Sequence, residues 1–279
     1  MKITETFEKV TAKGNIKTFQ RIVAFGKLFI VEIPKSGKAA IIKDIETVES
    51  ILAKKTITVM DRFTLINIYN VAFHESGKIE DIYSFDSSAT NCSFCAKMRK
   101  LAETDDSIIC RYCYDFSQEA YRFAALNRHT LNMIIMQSVD FTVEELAMLP
   151  AGYINRVNSS GDCANQIYAN NMVKLAIAFP LSHVAVWTKA PGFYINACRK
   201  YGKPANLVLI KSSVHIDKPD ILPEFFDYVF TVYFDKDKIE SALNAGACEC
   251  NGKKCKECGF KCYLKKWESG ANIAELLRK

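Results

Sequence analysis

The sequence predicts an α/β fold in which strands and helices alternate along the chain. Five short apolar segments have the composition of buried strands, and three segments with helical spacing of apolar residues lie between them. The predicted strands are residues 79–85, 153–158, 183–187, 207–211 and 228–234. The predicted helices are residues 117–137, 164–179 and 193–201. This alternation favours βα units with parallel pairing, and therefore an α/β sheet or barrel.

Small and polar residues follow the predicted strands at their C-terminal ends. These residues are Asp86, Ser87, Ser88, Asn158, Ser159, Ser160, Gly161, Asp162, Thr188, Lys189, Ser212, Ser213 and Asp235. In parallel α/β folds ligands bind at this edge, because loops from several strands meet there with helix N-termini. Helix capping explains Asp162 and Ser212. It does not explain Trp187 and Lys189, so we expect the functional site at this edge.

Nine of the eleven cysteines form two clusters. Two cysteines with two residues between them place two thiolates on one turn of backbone, and two such pairs supply four sulfur ligands to zinc or to an iron–sulfur cluster. The sequence therefore predicts two metal centres. The predicted ligands are Cys92, Cys95, Cys110 and Cys113 for the first centre, and Cys250, Cys255, Cys258 and Cys262 for the second. Cys248 is an alternative to Cys250.

Disulfide bonds are the main alternative use of these cysteines. The N-terminus lacks the apolar region of a secretory signal, and no stretch is apolar enough to span a membrane. A chain of 279 residues can also bury a core without covalent links. We therefore expect a cytoplasmic protein, in which paired cysteines bind metal. Cys163 and Cys198 stand apart from both clusters and are expected in the core.

Three regions are expected: a small α/β unit over residues 1–78, the alternating region over 79–240, and a cysteine-rich extension over 241–279. In the first region, residues 21–33 are predicted as a strand that Gly26 interrupts, and residues 39–42 as a second short strand. Residues 44–54 and 59–73 are predicted as helices, because their apolar residues recur at three- and four-residue spacing.

The net charge is +6, and the main concentration of lysines lies in the C-terminal extension. Basic residues around thiolates offset the negative charge of a metal centre. They are also typical of a surface that binds nucleic acid. The candidate contacts for such a surface are Lys253, Lys254, Lys256, Lys261, Lys265, Lys266 and Arg278.

The run from Cys110 to Tyr114 resembles the distal half of the radical S-adenosylmethionine (SAM) signature, in which cysteines spaced C-x3-C-x2-C hold an iron–sulfur cluster. The resemblance implies a partial (βα) barrel, with Cys110, Cys113 and Cys95 as cluster ligands and one iron open to SAM. This chain departs from the signature, because Cys95 lies across a long loop from Cys110 rather than four residues before it. If Cys92 also binds, no iron is left open.

The same resemblance implies positions for the cofactor and the substrate. Ser160-Gly161-Asp162 ends the second predicted strand, where radical SAM enzymes carry a glycine-rich acidic turn that meets the amino group of SAM. The implied cofactor contacts are Tyr112, Asn158, Ser160, Gly161 and Asp162. Trp187 would stack on a base or adenine ring, and Lys189 would meet a carboxylate or phosphate. A tryptophan that packs in the core is the alternative for Trp187.

A second resemblance covers roughly residues 85–279. Four motifs occur in the order typical of the gene-product-eighty-eight-type cysteine-rich proteins of bacteriophages and prophages. They are Cys110 to Tyr114, Arg156 to Asp162, Trp187-Thr188-Lys189, and Cys255 to Tyr263. This resemblance implies a phage-encoded protein in a bacterial host, and it supplies no reaction.

These observations favour a radical-SAM-like iron–sulfur protein, an enzyme that acts on a small molecule or a nucleotide. The C-terminal cysteines would then hold an auxiliary cluster, although their spacing fits a zinc site equally well. The alternative is a zinc-stabilised binding module without catalysis, which presents its basic face to nucleic acid or to a host protein.

Overall fold

The computed structural model describes residues 1–34, 39–250 and 254–277. The strands are β1 (Lys2–Val10), β2 (Ile16–Ala24), β3 (Lys27–Glu32), β4 (Ala72–Phe73), β5 (Tyr83–Phe85), β6 (Ile154–Val157), β7 (His183–Thr188), β8 (Leu207–Ser212), β9 (Tyr228–Tyr233), β10 (Cys248–Glu249) and β11 (Asn272–Leu276). The helices are α1 (Ala40–Leu52), α2 (Val59–Ile68), α3 (Ser93–Ala102), α4 (Tyr114–Glu119), α5 (Phe123–Ser138), α6 (Val143–Leu146), α7 (Gln166–Ala178), α8 (Pro191–Tyr201) and α9 (Lys236–Asn244). A 3₁₀ helix covers Ile109–Tyr112.

The main sheet has eight strands in the order β4-β5-β6-β7-β8-β9-β11-β10. All neighbours are parallel except β4 and β5. The order follows the chain from β4 to β9, without the reversal that marks a doubly wound sheet. No pairing joins β4 to β10 in the described ranges, so the sheet is open there. The prediction of an α/β fold with a mostly parallel sheet is confirmed.

The two faces of this sheet have different cover. On one face Val157, Val186 and Leu209 pack with α5, α7 and α8 in the largest core. On the opposite face Ile154, Ala185 and Val208 pack with residues of the cysteine-rich extension. We call this second side the extension face. Cys163 and Cys198 lie in the first core, as predicted.

The N-terminal unit is a three-stranded antiparallel sheet, β1-β2-β3, followed by α1 and α2. Phe25 and Gly26, both with positive φ, form the turn between β2 and β3, so residues 21–33 are two strands rather than one interrupted strand. The prediction of a strand over 39–42 is wrong. Residues 40–42 begin α1 instead, because Ile42 starts the buried stripe that Ile45 continues.

The N-terminal sheet is attached to the rest of the chain through side-chain amides. Asn127 of α5 accepts a hydrogen bond from Ile30 N (2.9 Å) and donates one to Ile30 O (2.7 Å). Asn91, just before the first cysteines, makes the same two contacts with Leu28 (3.1 and 2.8 Å). The edge of the small sheet therefore supports the loop that follows β5.

Within the described chain, every helix is too short or too polar to cross a membrane.

Candidate metal and cofactor site

Asp162 joins the C-terminal ends of β6 and β7. Its carboxylate accepts hydrogen bonds from Thr188 Oγ1 (2.6 Å), Lys189 N (2.8 Å) and Cys163 N (2.6 Å). Burial raises the pKa of Asp162, and this effect outweighs the opposite influence of Lys189 and these donors. The β5–β6 connection is similar, because Asp86 Oδ1 accepts from Ser160 N (3.1 Å). Asp86, Asp162 and Lys189 thus lie at one edge of the sheet.

Gly161 allows the ends of β5 and β6 to approach each other closely. Its φ is +74°, and a Cβ at this position would lie 2.4 Å from Ser87 O and 2.3 Å from Ser87 Oγ. Ser87 N also donates to Ser160 O (3.2 Å) across the same contact. Only glycine fits here, because both the dihedral angle and the space exclude a side chain.

The first cysteine set is carried by three short helical segments. Cys92 is the buried N-cap of α3, and Cys95 lies in the first turn of that helix. A hydrogen bond from Cys95 lowers the pKa of Cys92, although burial acts in the opposite direction. Cys110 lies in the 3₁₀ helix, and Cys113 is the N-cap of α4, where its Sγ accepts from Phe116 N (3.4 Å). The CxxC spacing therefore places each pair at a helix start.

The end of β7 places Lys189 near three of these thiols, and its ammonium group donates a hydrogen bond to Ser212 Oγ (3.3 Å). Burial alone would lower the pKa of Lys189, but neighbouring acidic groups raise it. In order of effect, these groups are Cys110, Asp162, Cys95 and Cys113. The predicted cysteines, Asp162 and Lys189 are therefore brought together. A buried cation among thiols suits a centre with negatively charged thiolate ligands.

The four predicted C-terminal ligands line one cavity of about 80 Å³ on the extension face. They are Cys250, Cys255, Cys258 and Cys262. Cys248 is not among the lining residues, so Cys250 is the better candidate of the two. No disulfide links the cysteines of the described chain. In the same ranges, no three His, Cys, Asp or Glu side chains converge on a single metal position.

Three other residues that line this cavity, Arg156, Trp187 and Tyr263, contact one another. The Arg156 guanidinium lies 4.4 Å from the Trp187 ring centroid, and its Nη1 donates to Tyr263 Oη (3.4 Å). The Trp187 and Tyr263 ring centroids are 5.1 Å apart. Burial raises the pKa of Cys255 and of Cys262, so these thiols are protonated when no metal is bound. Four thiols beside a buried cation are a donor set that fits an iron–sulfur cluster or zinc.

The other predicted cofactor and substrate residues have varied surroundings. Asn158 has a φ of +59°, and its amide meets Tyr168 Oη (2.9 Å) and Trp187 O (3.2 Å). Ser160 Oγ is buried without a hydrogen-bond partner. Tyr112 is exposed, and its ring packs against Phe234 with centroids 4.8 Å apart. Of these side chains, Ser160 has a buried hydroxyl without a partner, which a ligand could contact.

Sequence reasoning missed an acid–base pair that supports the first cysteine loop. Glu119 accepts hydrogen bonds from Ser88 Oγ (3.0 Å) and Thr90 N (2.8 Å), and it lies 3.1 Å from His129 Nδ1. Burial would raise the pKa of Glu119, but His129 and Thr90 lower it. Burial would lower the pKa of His129, but Glu119 raises it. No local motif indicates this pair, because α4 and α5 bring it together.

Replacing His129 with glutamine is expected to lower the free energy of unfolding by about 1–2 kcal/mol near pH 5.5, because a buried charge-assisted hydrogen bond is lost. Because the pKa of His129 is raised in the folded protein, this residue stabilises the fold fully below the ordinary histidine pKa of 6.5. That contribution is lost as the pH rises through the raised pKa. The lowered pKa of Glu119 means that its stabilisation is present above 4.5. Urea denaturation near pH 5.5 and pH 9 measures the difference.

His183→Gln is the matched control for this prediction. Burial lowers the pKa of His183, so wild-type protein is penalised at low pH relative to this variant. The two substitutions should therefore show opposite pH trends. The same cost for His129→Gln at both pH values would contradict the assigned ion pair.

Comparison of the chain with protein-family models, with curated proteins and with solved structures found no match.

Proposed function

We propose that this chain is a radical-SAM-like iron–sulfur protein, an enzyme that acts on a small molecule or a nucleotide. The observation that carries the proposal is that Cys95, Cys110 and Cys113 lie near Lys189. This group lies at the C-terminal edge of a parallel sheet whose strands β5 to β9 follow the order of the chain. The cysteines follow β5, the Ser-Gly-Asp turn follows β6, and Thr188-Lys189 ends β7. A partial barrel, with the extension face on the inside, accounts for this arrangement.

In this proposal, Cys95, Cys110 and Cys113 hold the first cluster. When bound, a cluster with one open iron supplies the electron that cleaves SAM into methionine and a 5′-deoxyadenosyl group. Lys189 offsets the charge of the thiolates. The Asp162 carboxylate accepts a hydrogen bond from the backbone N–H of Lys189 and so fixes the turn. Because Asp162 already has these partners and the Ser160 hydroxyl has none, Ser160 is the better candidate for a contact with SAM.

Cys92 decides between an open and a closed first centre. Cys92 is fully buried, its thiol forms a hydrogen bond with Cys95, and its Sγ also donates to Asp162 O (3.6 Å). We propose that burial and these contacts hold Cys92 outside the ligand set, which leaves three ligands. A fourth ligand would make the first centre structural or purely redox-active.

The C-terminal site favours an auxiliary iron–sulfur cluster over zinc. Zinc draws four sulfurs to about 2.3 Å from one point. The four thiols line one cavity of about 80 Å³, and we prefer a cluster of several iron and sulfide atoms to a single zinc ion as its occupant. Such a cysteine-rich protein suits a reducing compartment, and we propose the cytoplasm.

The alternative, a zinc-stabilised module that binds nucleic acid or a host protein, has weaker support. Several basic residues of the extension are paired with acidic groups: Lys254 with Glu80 (2.5 Å), Lys256 with Asp81 (2.7 Å) and Lys265 with Asp227 (3.3 Å). Pairing reduces the charge available to phosphates. Two further candidate contacts, Lys253 and Arg278, lie outside the described residues. Retention on nucleic acid that weakens steeply with salt would favour this alternative.

The catalytic proposal predicts that reduced, reconstituted protein converts SAM. After anaerobic reconstitution and reduction with dithionite, added SAM should alter the EPR spectrum and yield 5′-deoxyadenosine and methionine. Cys110→Ser should abolish both effects, and Cys248→Ser should leave them intact, because Cys248 lies outside both proposed ligand sets. An intact cluster whose EPR spectrum ignores SAM, with neither product formed, would contradict the radical chemistry.

A further inference from the structure

We infer that Arg156 sets the reduction potential of the C-terminal centre, as a buried counter-ion and N–H donor to its sulfur atoms. The inference rests on the proposed iron–sulfur function and adds a role for a residue outside both cysteine sets. Arg156 is a positioning and tuning residue here, not a ligand.

The Arg156 side chain lines the cavity and is held in place by its neighbours. Arg156 pairs with Ser84 and Ala185 in the neighbouring strands, which places it in the middle of the extension face. Its guanidinium is held between the Trp187 ring (4.4 Å) and Tyr263 Oη (3.4 Å). Its Nε is buried and has no hydrogen-bond partner. A buried N–H without an acceptor is costly, so this atom indicates an acceptor that the cavity is built to receive.

The cavity is lined by the four thiols and by the carboxylates of Glu249 and Glu275, and the Glu275 carboxylate is already paired with Lys78. A guanidinium group is not deprotonated in proteins, so the Arg156 side chain keeps its charge although its Nε is buried. Lys78, a second cation of the lining, forms an ion pair with Glu275 and is therefore largely neutralised. Arg156, by contrast, contacts an aromatic ring and a phenol rather than a carboxylate.

A cation in this position favours the reduced state of the centre. Reduction adds one negative charge to the cluster and its four thiolates, and attraction to a nearby buried cation is stronger for the more negative state. Loss of the Arg156 charge should therefore move the midpoint potential to a more negative value. Loss of the Nε–H with the charge retained should have a smaller effect in the same direction.

The test is an EPR-monitored redox titration of the anaerobically reconstituted full-length protein. The C-terminal signal is the one that disappears in Cys258→Ser. Arg156→Met and Arg156→Gln are expected to lower the equilibrium constant for one-electron reduction at least tenfold, which is about 59 mV. Arg156→Lys should fall between wild type and these variants. The double variant Lys78→Met/Glu275→Gln is the matched control, and it should change the potential little, because it removes a cation together with the anion that is paired with it.

The outcomes separate this inference from the proposed function. Iron retained in Arg156→Met and Arg156→Gln with an unchanged potential would overturn the role of Arg156 alone. A C-terminal site that holds zinc in wild type would overturn the iron–sulfur proposal together with it. If the neutral variants lose iron and Arg156→Lys retains it, the centre requires the cation, which supports the inference. Loss of iron in all three variants would assign Arg156 to packing.

Discussion

Replacing Gly161 with alanine is expected to destabilise the protein by about 2–5 kcal/mol, or to prevent folding. The φ of +74° is strained for alanine, and the added Cβ would lie 2.3–2.6 Å from Ser87 Oγ, O and C. The strain costs about 1–2 kcal/mol, and forcing a methyl group against fixed backbone costs about 1–3 kcal/mol more. Because Gly161 joins the ends of β5 and β6, the first cysteine loop should shift as well. Chemical denaturation of the variant measures the effect.

Two other glycines separate the strain from the collision. Gly26 has a φ of +68°, and a Cβ added there would meet nothing within 4 Å, so Gly26→Ala should cost only the strain. Gly192 lies in α8 with an ordinary φ and open space, so Gly192→Ala should be neutral or slightly stabilising. If Gly161→Ala costs no more than Gly26→Ala, the close contact with Ser87 is wrong.

If the C-terminal site binds metal as we propose, removal of that metal should release residues 254–267 from the extension face. This segment consists mainly of turns. Its buried anchors include the side chains of Cys255 and Tyr263 and a hydrogen bond from Cys255 N to Lys78 O (2.8 Å), and its lysines add ion pairs at the surface. Structural metal sites contribute about 10–16 kcal/mol in small zinc domains. The double variant Cys255→Ser/Cys258→Ser should therefore lose hydrogen-exchange protection throughout the segment, whereas β6 to β8 should retain it.

Cys248→Ser is the control for metal removal, because Cys248 lies in β10 and does not line the cavity. It should retain both the metal and the protection pattern. Unchanged protection of residues 254–267 in the double variant would mean that packing, rather than metal, holds the extension in place.

The main sheet could be predicted because its central strands are short, apolar and separated by helical segments. Strands β6 to β9 match the predicted segments within one residue at each end. Strand β1 was missed, because it is exposed on both sides and lacks a buried stripe. Strand β11 was missed as well, since its position between β9 and β10 depends on a long-range return of the chain. Non-local pairing of this kind leaves little trace in local composition.

The same contrast between local sequence pattern and long-range packing applies to the site. Cysteine pairs follow from local spacing, and the gathering of Asp86, Asp162 and Lys189 follows from the shared edge of parallel strands. Arg156 begins a motif that the sequence shows, but its role depends on Tyr263, which lies in the extension and meets it only in the folded chain. The Glu119–His129 pair likewise depends on the packing of α4 against α5.

The central claim is that the two cysteine sets hold iron–sulfur clusters, and metal analysis of anaerobically purified protein tests it most directly. We expect brown protein with iron and acid-labile sulfide in similar amounts. Cys110→Ser and Cys258→Ser should each remove part of the iron, and Cys248→Ser should remove none. Colourless protein that contains two zinc ions per chain and no sulfide would contradict the account.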